Sequence, residues 1–229
     1  MSQAHLVPPA RRRPQSPRKT AIGMRWRLRA ATAAAHERIH DHPGFAAAAA
    51  GAIEPADYCR LLARIFGFHR PFELVARQAA ATAGVEIDID GRARSPSLLA
   101  DLKTLGLGPS AVARLPRWNP SHAYANEGSL LGALYVVEGS ALGGVQIARA
   151  LQGRIGDESG EGRRFFLGRG DRQSAMWRDL LERLEALSER PEQATHAIDA
   201  AAATFEDFEA WMAGWRFEAG AALWQASCR

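Results

Sequence analysis

Cysteine is scarce: Cys59 and Cys228 are the only two in 229 residues. Two thiols cannot build a disulfide framework or a four-thiolate zinc site, and no C-x-x-C-H haem-attachment string is present, so a reducing, cytoplasmic setting is expected. No uninterrupted apolar run approaches the roughly 18–20 residues of a membrane span. The most tempting stretch, 45–53, is short and mostly alanine. Arg11–Arg13 has a twin-arginine look, but PQSPRKT follows with no hydrophobic region, so no signal peptide is expected. Acid is missing from residues 1–29, which hold eight bases. Residues 1–20 alone hold five, and the rest of the chain has 24 bases against 25 acids. The formal charge of +4 and pI near 9.6 therefore belong to one end of the chain, which argues against a nucleic-acid-binding core.

Alanine is abundant, with 45 residues, and favours helix. Residues 1–24, with four prolines among bases, read as a disordered tail, and 25–229 as a single all-α domain. The apolar spacing predicts a first helix from Arg25 to Asp41, stopping before Pro43–Gly44. A second runs from Pro55 to Ala83 and is expected to kink at Pro71. Val85 to Asp90 alternates like a strand but has no partner strand, and is expected to be an extended loop. A short helix follows Pro96, and a turn begins at Pro109. A long helix spans Ala123 to Gln152. A Gly-rich loop to Gly170 carries an apolar interruption at Phe165–Leu167. Two last helices cover Asp171 to Leu187 and Pro191 to about Trp224.

Two strings carry chemistry. His36-Glu37-Arg38-Ile39-His40 matches H-E-x-x-H, in which two histidines one turn apart bind zinc and the glutamate acts as base. The extended zinc-protease form fails, because Pro43 stands for its glycine and Ala46 for its last histidine. Glu54 and Asp57 are conceivable third ligands, and the histidines can equally be ordinary surface residues. The second string is Glu138-Gly139-Ser140-Ala141-Leu142-Gly143-Gly144. Each mid-helix glycine costs about 1 kcal/mol relative to alanine. Either close helix packing or the approach of backbone to a flat ligand would offset that cost. A helical histidine and a later Gly-rich helix together suit a haem held between them.

The stretches LRAATAAAHERIH (28–40) and GALYVVEGSALGG (132–144), with weaker ones at 165–184 and 203–211, resemble the haem oxygenase family, in particular its bacterial, bacteriophytochrome-associated branch. The resemblance implies a helical haem-oxygenase-like bundle that opens haem to biliverdin, CO and ferrous iron. Haem would be both substrate and cofactor, and O2 and an external electron donor such as ferredoxin or a reductase would be needed. It also implies a possible bacteriophytochrome partner. By the family pattern His36 is the iron ligand and His40 is not, and Gly139, Ser140, Gly143 and Gly144 form the distal helix. Arg29 and Arg178 would take haem propionates, or be solvated surface arginines. Tyr135 would touch the haem edge, or be a core aromatic, and Phe205 and Phe208 would line the pocket or pack in the core. One departure stands out. Animal members carry an aspartate where this chain has Ser140, and Glu138 lies about 160° around a helix from it. The proton route is thus left open, as is the alternative of a non-catalytic haem- or bilin-binding protein.

Overall fold

A computed structural model describes residues 23–120 and 124–217; the expected tail, up to residue 22, and the end of the last expected helix lie outside them. Among the described residues the chain forms helices and no strand. They are α1 (Met24–His40), α2 (Pro43–Ala49), α3 (Pro55–Ala83), α4 (Ile89–Arg92), α5 (Ser95–Thr104), α6 (Pro109–Arg114), α7 (Glu127–Ala150), α8 (Arg164–Leu167), α9 (Asp171–Ala186) and α10 (Pro191–Met212). A 3-10 turn, Leu187–Glu189, joins the last two.

Helix α1 buries one stripe, Met24, Leu28, Thr32 and Ala35, at intervals of three and four residues. Its start lacks a side-chain cap of its own, and the Glu185 carboxylate of α9 accepts from Met24 N at 3.0 Å. Near its end Arg38 forms a two-pronged ion pair with Glu209 of α10 at 2.6 and 2.8 Å. Helix α1 is thus fastened at both ends, and its other faces stay exposed.

Helix α2 was not expected, since Pro43–Gly44 reads as a stop. Proline also suits the first turn of a helix, and here the His42 imidazole caps that turn by accepting from Gly44 N. Helix α3 is continuous through Pro71. Proline deprives the Gly67 carbonyl of its helical donor, and Trp118 N fills the vacancy at 2.9 Å. The stretch 85–90 is extended only to Asp88, whose side chain then caps α4. The apolar interruption at 165–167 is α8.

Helix α7 opens with a reciprocal Asn126–Ser129 capping box. It is the one helix among the described residues long and apolar enough to cross a membrane, but more than half of its most apolar window is buried inside the protein. No uninterrupted run marks it because Glu138 and its glycines break the pattern. It packs chiefly on α10, and also on α8 and α9. Close approach to α10 requires Gly128 and Gly132, where a Cβ would overlap the carbonyl oxygens of Gln193 and Ala197. Helix α10 ends at Met212 rather than running on: the chain turns at Gly214, and Trp215 tucks back into the core.

The core has two parts. One joins α1, the second half of α3, α7, α9 and α10. The other joins α2, the first half of α3, α5 and α8 with the last turns of α7. Ile39, Phe208 and Trp211 touch both. For function, the important relation is between α1 and α7. Both pack on α9 and α10 much more than on each other.

Candidate active site

Four residues on one stripe of α1 are exposed: Arg25, Arg29, His36 and His40. His36 sets its ring edge-on to Phe205 of α10, with centroids 6.1 Å apart, and tilts against His40 at 4.5 Å. Its pKa lies below the ordinary value, first because of partial burial and then because of the His40 and Arg29 charges, with Glu37 opposing. The neutral imidazole, the form that binds a metal, is therefore favoured near pH 7.

On α7, Tyr135, Gly139, Leu142 and Gly143 share a face at helical spacing. The half-buried Tyr135 ring lies 5.3 Å from Trp177 of α9. Burial raises its hydroxyl pKa, and the charges of Arg25 and Arg29 pull it down. The arginine end of α1 therefore lies near the Tyr135 hydroxyl of α7. A Cβ on Gly139 would meet only the Trp177 ring, at 3.4 Å, and one on Gly143 would meet nothing within 4 Å. Leu142 is half exposed between them.

Of the other sequence-derived residues, Gly144 and Glu138 leave this face of α7. Gly144 points to the opposite side of α7, where a Cβ would sit 2.8 Å from the Phe166 carbonyl oxygen; its glycine serves packing against α8. Ser140 is exposed on the flank of the glycine face, and its hydroxyl donates to Val137 O at 2.8 Å. Glu138 is almost wholly buried behind the helix. One of its oxygens accepts from Arg92 at 2.6 Å, and the other has no protein partner. Burial holds its carboxyl above the ordinary range, opposed by Arg92 and then Arg169 and Arg94. Arg178 is exposed on α9 beside Trp177. The sequence reading passed over two contributors. Arg25 could have been found from its four-residue spacing to Arg29; Leu142 had no distinguishing signal.

The zinc-protease reading gains no third ligand. Among the described residues no three His, Cys, Asp or Glu side chains converge on a possible metal. Glu54 pairs with Arg154 and Asp57 with Arg60.

The residues do suit a haem. They offer a neutral imidazole on α1, a glycine-bearing helix face on α7 beside Tyr135 and Leu142, and two guanidinium groups at one end of α1. Arg29 lies seven residues from His36, about 10 Å along the helix axis, which is comparable with the reach from a porphyrin's centre to its propionates.

Comparison with known proteins agrees. Among solved structures, the chain is similar to a haem oxygenase from Neisseria meningitidis, determined in NO- and CO-bound forms. The identity is 24% over 84% of this chain and 91% of that one, with a TM-score of 0.65. It is also similar to haem oxygenase 1 of the cyanobacterium Synechocystis, determined in complex with haem, at 16% identity over the same shares and a TM-score of 0.58. No curated protein matches. A family model described as haem oxygenase matches residues 23–214, nearly the whole described chain, and the protein belongs to the haem oxygenase family.

Proposed function

We propose that the protein is a haem-degrading monooxygenase that opens haem to biliverdin, CO and ferrous iron, using O2 and electrons from an external donor. The observation that carries this reading is that one exposed stripe of α1 holds His36 and Arg29, whose charge reaches Tyr135 on the same face of α7 as the bare Gly139 and Gly143. Haem, when bound, supplies both the redox iron and the macrocycle that is cleaved.

The chain's own residues do the rest. His36 offers a neutral nitrogen ligand, which unlike a thiolate does not push toward O–O cleavage. Arg25 and Arg29 hold propionates through charge-assisted hydrogen bonds and so fix the rotation of the ring in the cleft. Tyr135, braced by Trp177, walls the same end. Gly139 and Gly143 let the α7 backbone approach closely, leaving room for a diatomic ligand but for no side chain. Ser140 can join a chain of ordered waters once its hydroxyl releases the Val137 carbonyl. The family resemblance supports a ferredoxin or a reductase as electron donor, a cytoplasmic setting, and bilin supply to a bacteriophytochrome.

A second reading, a non-catalytic haem- or bilin-binding protein, draws support from the lack of any carboxylate on the glycine face of α7, with Ser140 tied to its own backbone. Turnover separates the two. The purified protein is mixed with haem, and its spectrum is followed after a reductant is added in air. Conversion to a green, long-wavelength-absorbing product supports the enzyme; a haem complex that stays unchanged refutes it. His36→Ala should abolish the histidine-ligated spectrum while His40→Ala preserves it, and the reverse outcome would show that the ligand is misassigned.

A further inference from the structure

The His36–His40 pair has a property that the haem reading does not use. Both imidazoles are exposed, they lie one turn apart on α1, and their centroids are 4.5 Å apart with planes at 57°. A first-row divalent cation binds an imidazole nitrogen at about 2.1 Å, which places the ring centroid about 3.2 Å from the metal. Two such rings meeting at a cis angle near 90° have centroids about 4.5 Å apart, close to the spacing seen. The centroid spacing thus already matches that of two ligands of one ion.

We propose that His36 and His40 form a two-imidazole site for a first-row divalent cation in the haem-free protein. Its remaining positions would be filled by water, because no third protein ligand converges there among the described residues. Borderline-soft ions suit two nitrogen donors, so zinc, cobalt, nickel and ferrous iron are accepted ahead of magnesium or calcium. The Arg29 charge on the same face, one of the groups felt by His36, opposes cation binding and keeps the site weak. The consequence is competition. If His36 is also the haem ligand, as the functional reading holds, a metal on the pair and haem on His36 exclude each other, and the haem-free protein would be loaded more slowly wherever free zinc is present.

The test uses the full-length haem-free chain titrated with zinc chloride in a calorimeter, with folding of each variant checked by its thermal transition. One equivalent of zinc is expected for the unaltered chain and for Glu37→Gln, whose carboxylate is not a ligand. Binding should be lost in both His36→Ala and His40→Ala. Zinc should slow haem uptake by the unaltered chain but not by His40→Ala. Undiminished zinc binding in His40→Ala, or none in the unaltered chain, overturns the inference. Zinc bound through the pair by a chain that takes up no haem would sink the functional reading and leave this one standing; haem uptake without zinc binding would do the opposite.

Discussion

The glycines of α7 divide into two groups whose substitutions should change stability in opposite directions. At Gly143 an added methyl meets nothing within 4 Å. Alanine there removes the entropic cost of a mid-helix glycine, a gain of about 1 kcal/mol. For a domain of this size that corresponds to roughly 2–4 °C in the melting temperature. At Gly132 the same methyl overlaps the Ala197 carbonyl oxygen and lies within 2.8 Å of its carbonyl carbon and Cα. These are backbone atoms that cannot rotate aside, so α7 and α10 must separate. Overpacking of that kind costs about 1–3 kcal/mol or more, which exceeds the propensity gain. Urea unfolding of the haem-free variants should therefore show a raised midpoint for Gly143→Ala and a lowered one for Gly132→Ala. Haem titration should then invert the order of harm: Gly143→Ala, the more stable chain, should bind haem more weakly or with an altered spectrum. If Gly143→Ala destabilises the haem-free protein, or leaves haem binding and spectrum untouched, then Gly143 is not kept bare for a ligand and the placement of the cleft is wrong.

Three other substitutions test separate parts of the argument. His69 is fully buried, and burial followed by the Arg94 charge depresses its pKa to about 3. The unfolded chain takes up this proton near pH 6.5 while the native state does not, so His69's contribution is whole above 6.5 and lost as pH falls toward 3, by up to about 1.4 kcal/mol per pH unit. The urea midpoint of His69→Gln should fall less steeply between pH 6.5 and 4.5 than that of the parent, and equal slopes would refute the burial argument. Arg92 ties buried Glu138 to Asp179 of α9. Arg92→Met leaves a carboxylate uncompensated and should cost about 3–5 kcal/mol, whereas Glu138→Gln should cost clearly less; equal costs in chemical denaturation would contradict this ordering. Arg25→Glu with Arg29→Glu should weaken haem binding and reverse its salt dependence, leaving the histidine-ligated spectrum in place; unchanged affinity would remove the propionate assignment.

The parts of this protein that were legible in its sequence are those where one local rule acts alone. Helix α3 announces itself by its apolar period and its first-turn proline, Pro55. The parts that were not legible depend on groups far along the chain. Helix α3 runs through Pro71 as expected, but the group that takes the orphaned Gly67 carbonyl is the Trp118 amide, which nothing near Pro71 announces. Pro43–Gly44 reads locally as a stop, yet Pro43 begins α2 once His42 turns to cap it.

The Gly-rich string shows the same limit at the site itself. Gly143 and Gly144 are neighbours with the same composition and the same propensity cost, so no local rule separates them. Only the arrival of α8 on one side of α7, and of nothing within 4 Å of a Gly143 Cβ on the other, makes Gly144 a packing residue and leaves Gly143 facing open space. Ser140 and Glu138 follow suit. The helical angle between them was readable from the sequence, and it does carry the carboxylate away from the cleft. What could not be read is where it goes, into a buried pair with Arg92 from a helix of four residues. A carboxylate so anchored braces α7 immediately behind Gly139 and cannot swing to the open face without abandoning a buried guanidinium. On the proposed function the proton then comes through water on the open side, where Ser140 is an exposed hydroxyl, and Ser140→Ala is expected to slow turnover with unchanged haem affinity.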